Sequence, residues 1–299
     1  MPKSASIARR HHYVPKFYLK TWRASDGKGL WLYSRDAKGQ VRAYRRSPKS
    51  VGYVNDLYSL RPETPYSVLD PRPDVIEQDF FALIDNAAAS VHQKLLALGV
   101  KSLDGEDRDI WALFLNSLME RGPDRIVEIE RCDSPEKIKD EILRRLGSSD
   151  FLKKIDISSM HHNSVRRALV SYITDGAFIS YVSQMRWATA DITADGEHLI
   201  TGDTPVLING GSDSTPVHCL SIALSPSRLL IIHKNSEDFD ECFIRTLTAI
   251  HNVVIVQQAE QYVISSRELK DGSHTRYSRL VQEFIKQRRA ENNDNYGLN

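Results

Sequence analysis

Long apolar runs are missing from this chain of 299 residues. Stretches such as 229–232 and 253–256 are short, whereas a bilayer-spanning helix needs about 20 mostly apolar residues. The basic N-terminus also lacks the apolar segment of a secretory signal. A membrane-free, cytoplasmic protein is expected. Cysteine is scarce: Cys132, Cys219 and Cys242 are odd in number and far apart. That excludes a disulfide framework or Cys-x-x-Cys zinc site, and predicts three buried small hydrophobes. Glycine and proline total 27 residues, too few for a collagen-like or linker-dominated chain. Several signatures are absent as well: the Gly-x-Gly-x-x-Gly turn, the Walker loop, His-Glu-x-x-His and the Gly-x-Ser-x-Gly elbow. Dinucleotide binding, nucleotide-triphosphate hydrolysis, zincin proteolysis and lipase-like acyl transfer therefore lose their usual sequence support.

Charge is present but unevenly placed. The net charge is +1, yet residues 1–50 carry 13 Lys/Arg against Asp26 and Asp36, a balance of +11. The remainder holds 27 basic and 37 acidic residues, or −10. Such a segment suits a phosphate-rich partner, or packing against the protein's own acidic body.

The patterning predicts an α+β fold. Strands over 29–34 and 40–44 flank a turn with Gly39 in the left-handed region, and a third strand is expected near 52–60, completing a small β-rich N-terminal unit (1–62). Prolines 62, 65, 71 and 73 mark a linker. In the helical part (74–185), the first helix starts at Asp74 with Glu77 three residues on and stops at Gly99. Further helices are predicted over 106–121, from Pro135 to Gly147, and over 158–185 with a bend near Gly176. The mixed β part (186–299) supplies short strands at 186–192, 198–201, 206–208, 217–224, 229–233 and 261–265. They would form a C-terminal antiparallel sheet, with a helix over 240–252 and a closing helix over 274–291.

The densest constellation is Arg9-Arg10-His11-His12-Tyr13-Val14-Pro15-Lys16-Phe17-Tyr18-Leu19. Guanidiniums beside imidazoles suit phosphate chemistry: arginine holds the anion, while neutral histidine serves as base or metal ligand. Along an extended segment the two imidazoles face opposite ways, so one would enter a site while the other braces it. Paired structural histidines bonded to backbone carbonyls are the alternative. His-His-x-x-Pro also opens many His-Asn-His nucleases, but no histidine follows Asn55 until His92. The second constellation, Thr201-Gly202-Asp203-Thr204-Pro205, delivers a carboxylate at a strand end, for a metal or for bracing the turn. On the first helix Asp85 and His92 share a face, with Glu77 about 80° away. Asn116 and Glu120 are i, i+4 neighbours, and Arg121 ends the second helix, placed to cap carbonyls or meet an anion. His161-His162 reads as a surface pair, and Glu268-Leu269-Lys270 as a frequent chance match to half a nuclease core.

Three segments together, His11-His12-Tyr13-Val14-Pro15 with Tyr18-Leu19, Asn55-Asp56-Leu57-Tyr58 and Ile200-Thr201-Gly202-Asp203-Thr204-Pro205-Val206, resemble the signatures of the bacterial domain-of-unknown-function 4238 family. Ile222-Ala223-Leu224-Ser225-Pro226 follows in the expected order. The resemblance covers nearly the whole chain and implies one integrated domain over 1–299. It implies no settled activity; it marks His11, His12, Pro15, Glu77, Arg121, Asp203 and Pro205. The family's Ser-Asp-Asn-Pro turn is Gly202-Asp203-Thr204-Pro205 here, and a second helical glutamate is Asp85, so both carboxylates are retained.

The leading expectation is a metal-assisted phosphodiester hydrolase, nuclease-like, acting in phage defence or as a toxin. His12 would be general base or ligand and His11 ligand or brace. Glu77 and Asp203 would complete a divalent site for Mg²⁺, Mn²⁺ or Zn²⁺, and Arg121 would neutralise phosphate charge. The alternatives are a nucleic-acid or nucleotide-binding module, with Arg9, Arg10, Lys16, Arg45 and Arg46 on phosphates and Tyr13, Phe17, Trp22 or Trp31 on bases, and a protein-interaction subunit or homo-oligomer.

Overall fold

The computed structural model describes residues 7–38, 40–63, 72–132, 134–146, 155–192, 198–210, 217–234 and 241–269, with backbone alone at 146 and 241–249. In chain order the elements are β1 (Arg10–His12), α1 (Lys16–Lys20), β2 (Leu30–Arg35), β3 (Val41–Arg46) and β4 (Tyr53–Asn55). A π-helical turn (Ile76–Phe81) leads into α2 (Ala82–Leu98), followed by α3 (Gly105–Glu120), α4 (Pro123–Cys132), α5 (Pro135–Leu146), α6 (Ile157–Ile173) and α7 (Gly176–Gln184). Then come β5 (Arg186–Asp191), β6 (Thr201–Gly202), β7 (Val206–Asn209), β8 (Cys219–Ser225), β9 (Arg228–His233), α8 (Glu241–Gln258) and β10 (Tyr262–Ser265). The fold is α+β: small strands at the N-terminus, a helical middle, and a C-terminal antiparallel sheet with a helix. The expected closing helix over 274–291 and the turn glycine Gly39 lie outside the described residues.

Contacts group the chain into two compact units, each assembled from separated segments. The first comprises 1–13, 53–88 and 109–180; the second comprises 14–52, 89–108 and 181–299. The first unit contains the β1–β4 pair, antiparallel with His11 opposite Val54 and His12 opposite Tyr53. The third strand expected near 52–60 is thus present but shorter. Only Tyr53–Asn55 is extended, and it pairs with β1 rather than joining the hairpin. Asp56 then turns the chain at φ 57°, a conformation that aspartate tolerates better than most residues. The Gly122-Pro123 stop after α3 also hides a helix: Pro123 occupies the first turn of α4, where its missing N–H costs nothing. In α6 the N-cap Asp156 accepts the amide of Ser159 at 3.2 Å. Asn116 closes the other end, donating to the carbonyls of Tyr172 and Ile173 at 2.9 Å each.

The second unit holds two four-stranded antiparallel sheets, ordered β3-β2-β10-β6 and β5-β9-β8-β7. In the first sheet Tyr33 and Val263 pack with Ile200, Ile255 and Val256, and with the flanking Trp31 and Val41. β3 is at one edge and carries Arg42, Arg45 and Arg46, charges that discourage a further strand from adding. The hairpin depends on Gly29, whose φ is +115° and whose absent Cβ would sit 2.4 Å from the Arg46 carbonyl oxygen. In the second sheet β8 and β9 are buried on both faces, which explains their unbroken apolar runs. α3 opens with a reciprocal capping box: Asp104 accepts the amide of Asp107 at 2.8 Å, and Asp107 that of Asp104 at 3.2 Å. Among the described residues, no helix is long and apolar enough to cross a membrane.

Candidate functional site

Strand alternation at β1 divides the labour of the two histidines. His11 is fully buried. Its Nδ1 accepts the amide of Tyr58 at 2.9 Å, which leaves Nε2–H to donate to the Ala8 carbonyl at 3.0 Å. Its ring stacks on Tyr58 at 5.5 Å and 10°. Burial lowers its pKa, against the opposing pull of the Ala8 carbonyl and of Asp56 and Asp74. Both ring nitrogens are thus engaged with backbone groups, the arrangement that the brace alternative for His11 requires. His12 is also buried, with its ring 5.5 Å from Tyr53. Its backbone N–H donates to Glu77 Oε1 at 3.4 Å, so strand and π-helical turn meet at this residue. π-helical turns are rare and are often found at functional sites.

Tyr58 is the hub that the motif reading missed as a site residue. Its amide serves His11, its ring packs 4.4 Å from Phe81, and its hydroxyl donates to the Arg121 carbonyl at 2.6 Å. Burial raises its pKa well above the phenol value; the Arg121 charge pulls the other way, and Glu77 and Asp85 add to the rise. Glu77, Asp85 and Arg121 therefore all lie within electrostatic reach of one phenol.

Arg121 is fully buried at the end of α3. Its guanidinium carbon stands 5.4 Å from the Phe81 ring centre and 5.9 Å from that of Phe114. Nη1 donates to Asp85 Oδ1 at 2.9 Å, while Nε and Nη2 have no acceptor among the described residues. Its burial is thus only partly offset by hydrogen bonds among the described residues.

The first unit thus brings together His11, His12, Glu77 and Arg121. Asp203 belongs to the second unit. It is buried, and its carboxylate accepts the amides of Glu260 at 3.0 Å, of Gln261, and of Tyr262 at 3.3 Å. Burial pushes its pKa up to about 6, against those three amides. With both oxygens engaged, Asp203 braces the turn to the loop between α8 and β10. His92, which shares a helix face with Asp85, is fully buried and bonded to the Leu224 carbonyl at 2.9 Å. Burial lowers its pKa to about 4. His162 is half-buried on the Ser59 carbonyl at 2.8 Å, not a surface residue. Cys219 is buried, but Cys132 is exposed, and the side chain of Cys242 lies outside the described residues.

The candidate phosphate-binding cations divide in the same way. Arg9 pairs with Asp56 at 2.7 Å, and Arg10 stands over Tyr53 at 5.1 Å. Lys16 is exposed at the start of α1. Arg45 pairs with Asp26 over the Trp31 ring, and Arg46 lies 5.0 Å from the Tyr44 ring. No group of three or more His, Cys, Asp and Glu is spaced to hold a metal among the described residues.

A family model described as "Protein of unknown function (DUF4238)" matches residues 10–268. No curated protein and no solved structure matches the chain.

Proposed function

The chain belongs to the DUF4238 family, and we propose that it is a cytoplasmic phosphodiester hydrolase, nuclease-like, whose site is the His12–Glu77–Asp85–Arg121 cluster of the first unit. One observation carries this reading: the buried Arg121 guanidinium, anchored to Asp85 through Nη1, with Nε and Nη2 lacking acceptors among the described residues. A phosphate would satisfy those donors in forked geometry, and its developing charge would be stabilised more strongly in a buried site than in water. His12, next to Glu77, is the group placed to take or give the proton. A divalent cation would be held by Glu77 together with water and the substrate's own oxygens, leaving the His12 imidazole uncoordinated for proton transfer. That donor set suits Mg²⁺ or Mn²⁺, which keep few protein ligands, better than the three or four protein ligands of zinc.

The test is cleavage of bis-p-nitrophenyl phosphate and of single-stranded DNA and RNA with Mg²⁺ or Mn²⁺. Wild type is compared with His12→Ala and Arg121→Lys, each checked for folding by circular dichroism. Turnover lost in both folded variants supports the reading. No turnover by wild type, or undiminished turnover by His12→Ala, overturns it. A defence or toxin role predicts that expression of wild type, but not of His12→Ala, arrests growth.

A further inference from the structure

We infer that the edge strand β3 presents a single-stranded nucleic acid platform, built from Arg42, Tyr44 and Arg46. Pairing with β2 settles which residues share a face: Arg46 lies opposite Leu30, Tyr44 opposite Leu32 and Arg42 opposite Ser34. Arg42, Tyr44 and Arg46 therefore project from one side, while Val41, Ala43 and Arg45 take the other with Trp31 and Tyr33. On the second side Trp31 and Val41 pack against the core. On the first, Leu30 and Leu32 of β2 are buried, but Arg42 and Arg46 are exposed at the sheet edge and Tyr44 is half-buried.

The spacing is what a polyanion with stacking bases requires. Alternate residues on one face of a strand are about 7 Å apart, so Arg42 and Arg46 are anchored about 14 Å from each other with Tyr44 between them. Cations at that step track a phosphate backbone, and the ring between them offers a stacking surface to any base. Arg46 already lies over one face of the Tyr44 ring, its guanidinium carbon 5.0 Å from the ring centre, so a base would stack on the opposite face or take the guanidinium's place. Arg42 is engaged with Asp36 at 3.0 Å and with Gln40 at 2.9 Å. The Asp36 pair is exposed, of a kind that contributes little, so a phosphate can compete for it. Asp36 is meanwhile held by the amides of Lys38 and Gln40, at 2.9 Å each. Three arginines on the strand disfavour an added peptide strand. They lie in the segment whose charge balance is +11, and a polyanion is the complementary partner.

The inference rests on the preceding reading only in making the strand a substrate; binding stands by itself. It is tested by fluorescence anisotropy with fluorescein-labelled oligo(dT) and oligo(rU), in EDTA, on the His12→Ala background and from 50 to 300 mM salt. Adding Arg42→Ala and Arg46→Ala is expected to weaken binding at least tenfold. It should also flatten the plot of log affinity against log salt by about 1.4, the loss of two phosphate contacts on a single strand. Adding Tyr44→Ala is expected to weaken binding about fivefold or more at unchanged slope, with Tyr44→Phe restoring it. Preference for one oligomer tells DNA from RNA. Absence of binding at 50 mM salt, or an unchanged slope in the double-arginine variant, overturns the inference. Cleavage of bis-p-nitrophenyl phosphate by a protein with both arginines replaced separates this outcome from failure of the hydrolase reading.

Discussion

Arg121 and Asp85 form an ion pair buried on one side only: the guanidinium is inaccessible, while the carboxylate, 2.9 Å away, keeps about a quarter of its side-chain surface in solvent. Removing the partner of a buried charge costs more than removing both. Asp85→Ala should therefore lower unfolding stability by about 3 kcal/mol, and adding Arg121→Met should recover a large part of that loss. Urea denaturation of wild type, both single variants and the double variant checks this. A double variant weaker than Asp85→Ala would refute the account.

The two histidines should separate cleanly. His11→Ala removes the acceptor of a buried amide, that of Tyr58, and should cost about 1–3 kcal/mol of stability. His12→Ala should leave the melting temperature closer to wild type while abolishing phosphodiester cleavage. Thermal melts and turnover, measured on both variants, decide whether brace and reactive group are correctly assigned.

Tyr58→Phe keeps the ring against Phe81 and deletes only the hydroxyl that serves the Arg121 carbonyl. The expected cost is about 1–2 kcal/mol, read by chemical denaturation. Cleavage should fall through misplacement of Arg121, with KM rising more than kcat falls.

Asp203 predicts a particular pH dependence. Its folded pKa, about 6, lies above the ordinary carboxylate value. A raised acid favours the fold while protonated, and that contribution disappears as pH climbs through the folded value. Wild type should lose stability relative to Asp203→Asn between about pH 4 and pH 7, by about 3 kcal/mol in all. Urea midpoints of both proteins across that range test it. Parallel curves would count against the shift.

Much of this architecture could be read along the chain, because the informative signals were local. The β2–β3 hairpin, the Pro135 helix start and the break near Gly176 each rest on residues within one turn or strand. What escaped depends on distance. β4 is three residues long and is extended because β1, more than forty residues earlier, offers it a partner. The π-helical turn at Glu77 carries no periodicity distinct from that of an α-helix. The grouping of His11, His12, Glu77 and Arg121 was legible as a list of residue types. Tyr58 stood in the Asn55-Asp56-Leu57-Tyr58 segment of the resemblance without a role of its own, because its partners His11 and Arg121 are far away in sequence. Asp203 stood out as a strand-end carboxylate, but nothing nearby showed that three amides from 260–262 would occupy it.

The interleaving of the two units has a consequence for synthesis. The first unit is complete once residue 180 has left the ribosome. In the second, the β2–β3 hairpin emerges early, yet the strand that covers the other edge of β2 is 262–265, and Tyr33 OH awaits the amide of Leu269. More than two hundred residues must be made while that edge of β2 has no partner. An open strand edge is a template for association with other chains. Nascent chains stalled between residues 180 and 260 should therefore be the species most dependent on chaperones, and the arginines of β3 guard only the outer side of the hairpin.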